Sequence, residues 1–298
     1  MNWVFLALLA PLVYALNVFT DKYLIASRLK DYRSLPMFSG FVAFLFAIIY
    51  WPISGFEQLG GYDGFLIVLS GIFTIVGFAL YLEALVKEET SLIIVLIQLI
   101  PVFVLILSLI FLGEVISNRQ FIGFGLLIGA SIGASLKKER SSWGLSKAVL
   151  FIVLADLVWS AAFILIKMAS LGVSIEALLI YESFGVMLGA VFLFLLMPGL
   201  RRAFISSLRV LKLSDFGLVI FNECLYLGGK ALTYIAVALG PVAIVSVLGS
   251  TQIFYGILIG AVLTFILPKV FKEDLTGEGI RKKVILGLIA VTGIFLVS

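Results

Sequence analysis

SLIIVLIQLIPVFVLILSLIFL occupies residues 91–112 and holds no charged residue. A hydrocarbon core about 30 Å thick is crossed by roughly 20 apolar residues in a helix, so this stretch reads as a membrane span. The rest of the chain agrees. Of its 298 residues 62% are hydrophobic and 13% charged, with mean hydropathy +1.23, whereas a soluble domain has about a quarter charged residues. Lipid offers an open backbone no hydrogen-bond partner, and alternating ten-residue strands are absent, so helices are expected and a barrel is excluded.

Working outward from 91–112, ten helices are expected: 3–24, 36–54, 64–86, 91–112, 121–136, 148–168, 175–198, 215–239, 242–267 and 284–298. Breakers separate them at Pro36, Gly60-Gly61, Lys87 to Thr90, Gly113, Lys137 to Gly144, Pro198-Gly199, Gly240-Pro241 and Pro268. Met1-Asn2-Trp3 carries no basic residue and no small-residue cleavage site precedes Thr20, so the first apolar stretch is expected to be retained. The lone Cys224 excludes a disulfide framework.

Charge is placed unevenly. Eighteen of the 21 Lys and Arg flank or occupy the connections from odd to even helices, and only Arg119 and Lys167 lie on the other side, with Lys230 inside the eighth helix. The positive-inside rule then puts the odd-to-even connections in the cytoplasm and both termini outside a cell (inner or plasma) membrane. The chain also repeats. Tyr14 to Phe19 followed by Lys22 recurs, 145 residues on, as Trp159 to Phe163 followed by Lys167. Ser39-Gly40 aligns with Ser183 to Gly185, and Gly123 and Gly129 with Gly287 and Gly293. Five helices per copy make the second copy enter from the opposite face, which is how secondary transporters are built. The expected fold is an all-α membrane protein of ten transmembrane helices in two inverted five-helix repeats, 1–140 and 145–298.

These features resemble the drug/metabolite transporter superfamily, in its ten-helix EamA-type branch. The aromatic-x-x-x-F-x-x-x-K pattern is carried by Trp159, Phe163 and Lys167, while the first copy departs from it with Tyr14 and Val18. Ser91, Pro101, the F-L-G-E of Phe111 to Glu114, Gln120, Gly123 and Gly129 resemble the closing helix pair of the family's first repeat. The resemblance implies a secondary active carrier of small metabolites such as amino acids, often an exporter. It would work by alternating access through a central cavity between the repeats, with proton coupling as one option. It also implies cytoplasmic termini, against the charge count.

Ionisable side chains inside spans are costly and are paired, line a cavity or sit near an end. Here they are Glu83, Asp156, Lys167, Glu182, Glu223 and Lys230. Glu223, beside Asn222 and followed by Tyr226, is the first choice for a substrate or coupling site. Glu83 with Tyr81 and Glu182 with Tyr181 come next, and each would serve equally as an interhelical hydrogen-bond partner. Glu223 and Lys230 are two turns apart and Asp156 and Lys167 three, which sets opposite charges at two levels of one wall. The alternative has Lys22 and Lys167 snorkelling and Asp156 near a helix end. Gln98 and Gln252 hold repeat-equivalent positions suited to a zwitterion or to packing. Asn17 is a further polar candidate, Trp159 heads the second repeat, and Pro101 is expected to bend its helix. The glycines 125/129/133, 185/189 and 256/260 have the G-x-x-x-G spacing of close helix packing.

Enzymatic readings fail on composition. The chain has no histidine, so Gly129 to Gly133, although it spells G-x-S-x-G, lacks a base, and H-E-x-x-H zinc chemistry is excluded. One cysteine makes no thiolate cage and no P-loop is present. The protein is expected to be no enzyme and to need no cofactor. Its expected partners are a small-molecule substrate and membrane lipids, as a monomer or homodimer. The basic connections lack the interleaved aromatics of nucleic-acid sites. The alternatives are a non-transporting scaffold or a passive channel, the latter without filter-like repeated loops.

Overall fold

The computed structural model describes residues 3–55, 57–112, 117–139, 142–145, 148–169, 173–239, 245 and 248–297. Twelve helices are described: α1 (Trp3–Ser27), α2 (Leu35–Ser54), α3 (Gly61–Leu85), α4 (Thr90–Ile97), α5 (Ile100–Leu112), α6 (Asn118–Ser135), α7 (Ala148–Ala169), α8 (Ile175–Leu196), α9 (Pro198–Leu208), α10 (Leu213–Leu239), α11 (Gln252–Ile266) and α12 (Gly277–Val297). A short antiparallel hairpin pairs Leu136–Glu139 with Ser142–Leu145. The expected breakers Gly113 and Gly240-Pro241 and the Glu114 of the F-L-G-E motif lie outside the described residues.

Among the described residues, six stretches are long and apolar enough to cross a membrane: Trp3–Ser27, Tyr32–Ser54, Gly61–Leu85, Thr90–Phe111, Ala148–Ala169 and Ile175–Leu196. Large apolar side chains stay exposed, with Ile53 at 72%, Phe121 at 71% and Phe265 at 80%. Such a surface suits lipid and not water.

Two local structures differ from expectation. The span 91–112 is broken. α4 stops at Ile97 and α5 starts at Ile100, with tightened bonds from Gln98 N–H to Val95 O (3.2 Å) and Leu99 N–H to Leu96 O (3.0 Å). Pro101 has no N–H to offer the Ile97 carbonyl. The second difference is α9, in a region expected to be loop. It buries Leu200, Ala203 and Ser207 on one stripe and exposes Arg201 and Arg202. A three- and four-residue apolar period in a short, charged segment has too little hydropathy to register as a span. α2 ends at Gly55, whose φ of 92° is the left-handed conformation that closes a helix, with its N–H bonded to Trp51 O.

The chain sorts into two compact units, each drawing on both halves of the sequence. The first is Met1–Tyr23, Glu83–Val153 and Cys224–Ser298. Here α6 packs on α12 and α4 on α11. A Cβ on Gly293 would lie 3.0 Å from Gly123 O, one on Gly133 would lie 2.5 Å from the Leu286 side chain, and one on Gly256 would lie 2.6 Å from Ile94. The second unit is Leu24–Leu82 and Leu154–Glu223. α2 lies along α8, where a Cβ on Gly40 would come 2.4 Å from that of Ala190. α3 crosses α8 at backbone contact: a Cβ on Gly71 would sit 2.1 Å from Glu182 O, and one on Gly185 2.0 Å from Val68 O. Met37, Ile75, Val186 and Leu200 close a core around these crossings.

A Cβ on Gly125 or Gly129 would meet nothing within 4 Å among the described residues. The expectation that their G-x-x-x-G spacing marks close packing is corrected here. The four-residue period puts them on one face of α6, and that face is exposed.

Candidate functional site

In the second unit, two buried carboxylates hold hydroxyls from other helices. Glu223, on α10, accepts a hydrogen bond from the Ser39 hydroxyl of α2. Its neighbour Asn222 is also buried. Glu182, on α8, accepts from the Thr74 hydroxyl of α3 at 3.2 Å. The Trp159 indole N–H of α7 donates to Thr74 O at 3.0 Å, and Tyr81 and Phe78 lie against this group, with 5.6 Å between the Tyr81 and Trp159 rings. The absence of a side chain at Gly77 gives the indole its seat, since a Cβ there would fall 2.7 Å from the ring. Sequence spacing flagged Glu182, Tyr81 and Trp159 separately, and the fold brings Glu182 and Trp159 onto Thr74, with Tyr81 against the Trp159 ring. Thr74 was not legible, because a hydroxyl in an apolar run more often bonds its own helix.

Asp156 is wholly buried, and neither of its carboxylate oxygens has a hydrogen-bond partner among the described residues. Ser160, one turn on, donates to the Asp156 carbonyl instead at 2.6 Å. Lys167, expected on the same face, is exposed.

In the first unit, Lys230 of α10 places its ammonium 5.4 Å from the centre of the Tyr226 ring. Tyr14 of α1 meets Tyr226 edge-on at 6.4 Å. Buried Gln98 donates its amide to Ile94 O at 3.2 Å, while Gln252 opens α11, which packs on α4. Asn17 is buried in α1. Glu83 pairs with Lys87 one turn on at 3.1 Å and is partly exposed, a surface arrangement of small energetic weight.

The sequence reading missed a second cluster in this unit, at the end facing the connections 87–90 and 267–276. Lys283, only 4% exposed, places its ammonium 2.7 Å from Glu89 and 2.8 Å from Glu273. Ser91 donates to Glu273 through both its N–H (3.2 Å) and its hydroxyl. The Lys22 ammonium donates to Leu85 O and, at 3.1 Å, to Glu88 O, where the C-terminal carbonyls of α3 favour a cation. Burial, with Glu273 competing for the same ammonium, pushes the Glu89 carboxyl above the ordinary glutamate range despite Lys283. Asp274, beside it but exposed, is held below the usual carboxylate range by bonds from Thr276. Lys22 and Lys283 had been read as topology determinants or snorkelling groups. The acidic pairs Glu88-Glu89 and Glu273-Asp274, set in otherwise basic connections, were the available signal.

Residues 1–136 match the EamA-like transporter family. Those residues, a little under half of the chain, are similar to that family. The resemblance to the drug/metabolite transporter superfamily is thereby borne out for that part, and the apolar helices make the protein a multi-pass membrane protein. No curated protein matches the chain. A solved structure described only as the crystal structure of a protein is similar over 98% of this chain and 94% of its own, with TM-score 0.52 at 14% identity. That likeness speaks to fold alone.

Proposed function

We propose that the protein is a secondary active carrier of small metabolites such as amino acids, working as an exporter by alternating access. The observation that carries this reading is Glu223, a buried carboxylate on α10 bonded to the Ser39 hydroxyl of α2, in a chain whose first 136 residues match a transporter family. A packing scaffold has no use for ionisable groups in its spans, and they are retained in membranes chiefly where they handle solutes or protons. With no histidine in the chain, a proton path has to run through carboxylates, of which Glu223, Glu182 and Asp156 are the buried ones on α10, α8 and α7.

The architecture proposed with it is ten spans in two inverted repeats. Helices placed at equivalent positions of the two repeats pack on one another: α2 on α8, α4 on α11 and α6 on α12. An approximate twofold relation brings equivalent helices together in this way, and Gly123 and Gly293, one from each aligned glycine pair, meet at the α6–α12 crossing. The absence of a P-loop leaves a gradient as the energy source, and no chemical step is assigned to any residue.

The test is solute flux in proteoliposomes loaded with a mixture of labelled amino acids. Wild-type protein should release label down an imposed gradient, and Glu223→Gln should abolish the flux or its pH dependence while eluting as a folded monodisperse species. Flux that is absent in the wild type, or unchanged in rate and pH dependence in Glu223→Gln, overturns the assignment.

A further inference from the structure

We infer that α9 lies along the membrane surface as an amphipathic helix, and that Arg201, Arg202 and Arg209, with Lys212 just beyond it, bind the phosphate of an anionic phospholipid headgroup. The inference needs only the membrane placement of the chain and is independent of the carrier reading. The position of α9 sets it up. α8, long and apolar enough to cross a membrane, ends at Leu196, and α9 begins two residues on at Pro198, after Met197 takes an extended backbone that breaks the helical path. α9 then packs on the Tyr32–Ser34 turn that leads into α2, and its Phe204 ring meets Phe38 at 4.8 Å and Phe194 at 6.1 Å. These contacts fall near the start of one candidate span and the end of another, which is where lipid headgroups lie.

The faces of α9 differ in kind. Leu200, Ala203 and Ser207 are buried against the protein. Ile205 and Leu208 are exposed, and they stand among cations: Arg201, Ile205 and Arg209 follow at steps of four, in one line along the helix surface. Arg202 is exposed too and turns its Nε to Pro198 O at 3.3 Å. Val210 and Leu213, around Lys212, continue the exposed apolar edge. Apolar side chains set between arginines gain nothing from water. Beside a bilayer they insert among acyl chains while the cations reach the phosphate layer. Among the described residues no carboxylate matches any of the four cations, all of which are exposed. The acids of the flanking segments are already engaged, Asp31 by Arg33 at 2.8 Å and Asp215 by the Lys212 N–H at 2.9 Å and Arg28 at 3.6 Å. A guanidinium presents a planar fork of donors that matches phosphate oxygens. Four unopposed positive charges favour an anionic headgroup over a zwitterionic one, which brings an ammonium of its own.

The test uses the full-length protein in an uncharged detergent, with melting temperature followed against short-chain phosphatidylglycerol, short-chain phosphatidylcholine, inorganic phosphate and heparin. Phosphatidylglycerol should raise the melting temperature in a saturable way, and the other three should raise it far less. Arg202→Gln/Arg209→Gln should weaken the phosphatidylglycerol effect by about tenfold or more, since each cation near an anionic surface contributes separately. Lys269→Gln/Lys272→Gln, which removes two exposed lysines from the connection before α12, should leave it unchanged. Arg202→Lys/Arg209→Lys keeps the charges and should keep most of the binding, which separates lost charge from lost folding. Ile205→Ser should weaken binding by a smaller factor. No shift with phosphatidylglycerol, or an equal one with phosphatidylcholine, overturns the site. So does undiminished binding in Arg202→Gln/Arg209→Gln, or an equal loss in Lys269→Gln/Lys272→Gln. An equal shift with phosphate or heparin marks a patch for any soluble anion and overturns it as well.

Discussion

Gly71 and Gly185 carry the closest approach in the second unit, and the geometry there is unforgiving because backbone meets backbone. A methyl group on Gly71 would sit 2.1 Å from the Glu182 carbonyl oxygen and 2.7 Å from Val186 N, and neither atom can swing aside as a flexible side chain could. Gly71→Ala should therefore force α3 away from α8 at a cost of about 1–3 kcal/mol or more, and with it displace Glu182, whose carboxylate is held by Thr74 three residues along α3. The expected outcome is a lower melting temperature and a poor yield of monodisperse protein in fluorescence-detected gel filtration. Gly125→Ala, where nothing lies within 4 Å, should behave as wild type, and equal behaviour of the two variants would refute the packing argument. The spacing rule found Gly185 and Gly189 but not Gly71, whose partner lies on another helix, and it promoted Gly125, whose neighbours are absent. A one-dimensional motif records which residues share a face and says nothing about which face is covered. The same limit applies to Glu223 and Ser39. The chemistry of a carboxylate in a span was legible, but the hydroxyl 184 positions earlier that completes it was not.

Between elements, the cluster around Lys283 ties the start of α12 to the connection that precedes α4. Removing its charge while keeping its bulk, in Lys283→Met, leaves Glu273 buried at 8% exposure without the ammonium that lies 2.8 Å from it. An uncompensated buried charge costs about 3–5 kcal/mol, so this variant should melt well below wild type. The double variant Lys283→Met/Glu273→Gln removes both charges and should recover a good part of the loss, and the pairwise term follows from the thermal double-mutant cycle. Recovery no greater than either single change would show that the two groups are not energetically paired. The pH dependence of the same corner has a definite sign. Glu89 is raised in the folded state, so its contribution is fully present below its unfolded value and is lost as pH climbs through the folded one. Glu89→Gln abolishes that term, so its melting temperature relative to wild type should rise across that window. A difference flat with pH would contradict it. Helix existence was well predicted from hydropathy because lipid enforces it residue by residue. The break at Gln98-Leu99 was half-predicted, through Pro101, and α9 was missed because its amphipathic period is short and its charges mask it.

At the scale of the whole molecule, each compact unit takes residues from both halves of the chain, although the repeat expected from the sequence would divide it near the hairpin at 136–145. Half the helices that pack together are thus joined only by folding and not by adjacency: α2 with α8, α4 with α11 and α6 with α12. A fragment ending at 140 would retain α2, α4 and α6 with none of these partners. Its Gly40 groove would lack Ala190, its Ile94 would lack Gly256, and Leu127 would lack Gly293. Fragments 1–140 and 145–298 expressed separately should therefore be degraded or aggregate, even though the first contains the whole of the segment that matches the EamA-like family. Expressed together, they should co-purify as a one-to-one complex, because the cut removes residues 141–144, most of the hairpin's second strand, and no helix. Gly40→Leu in the first fragment, which fills the groove where α8 lies, should prevent that recovery, whereas Gly125→Leu on the exposed face of α6 should not. A stable, monodisperse 1–140 fragment on its own would show that the repeat folds as an autonomous domain and that packing between the halves is secondary.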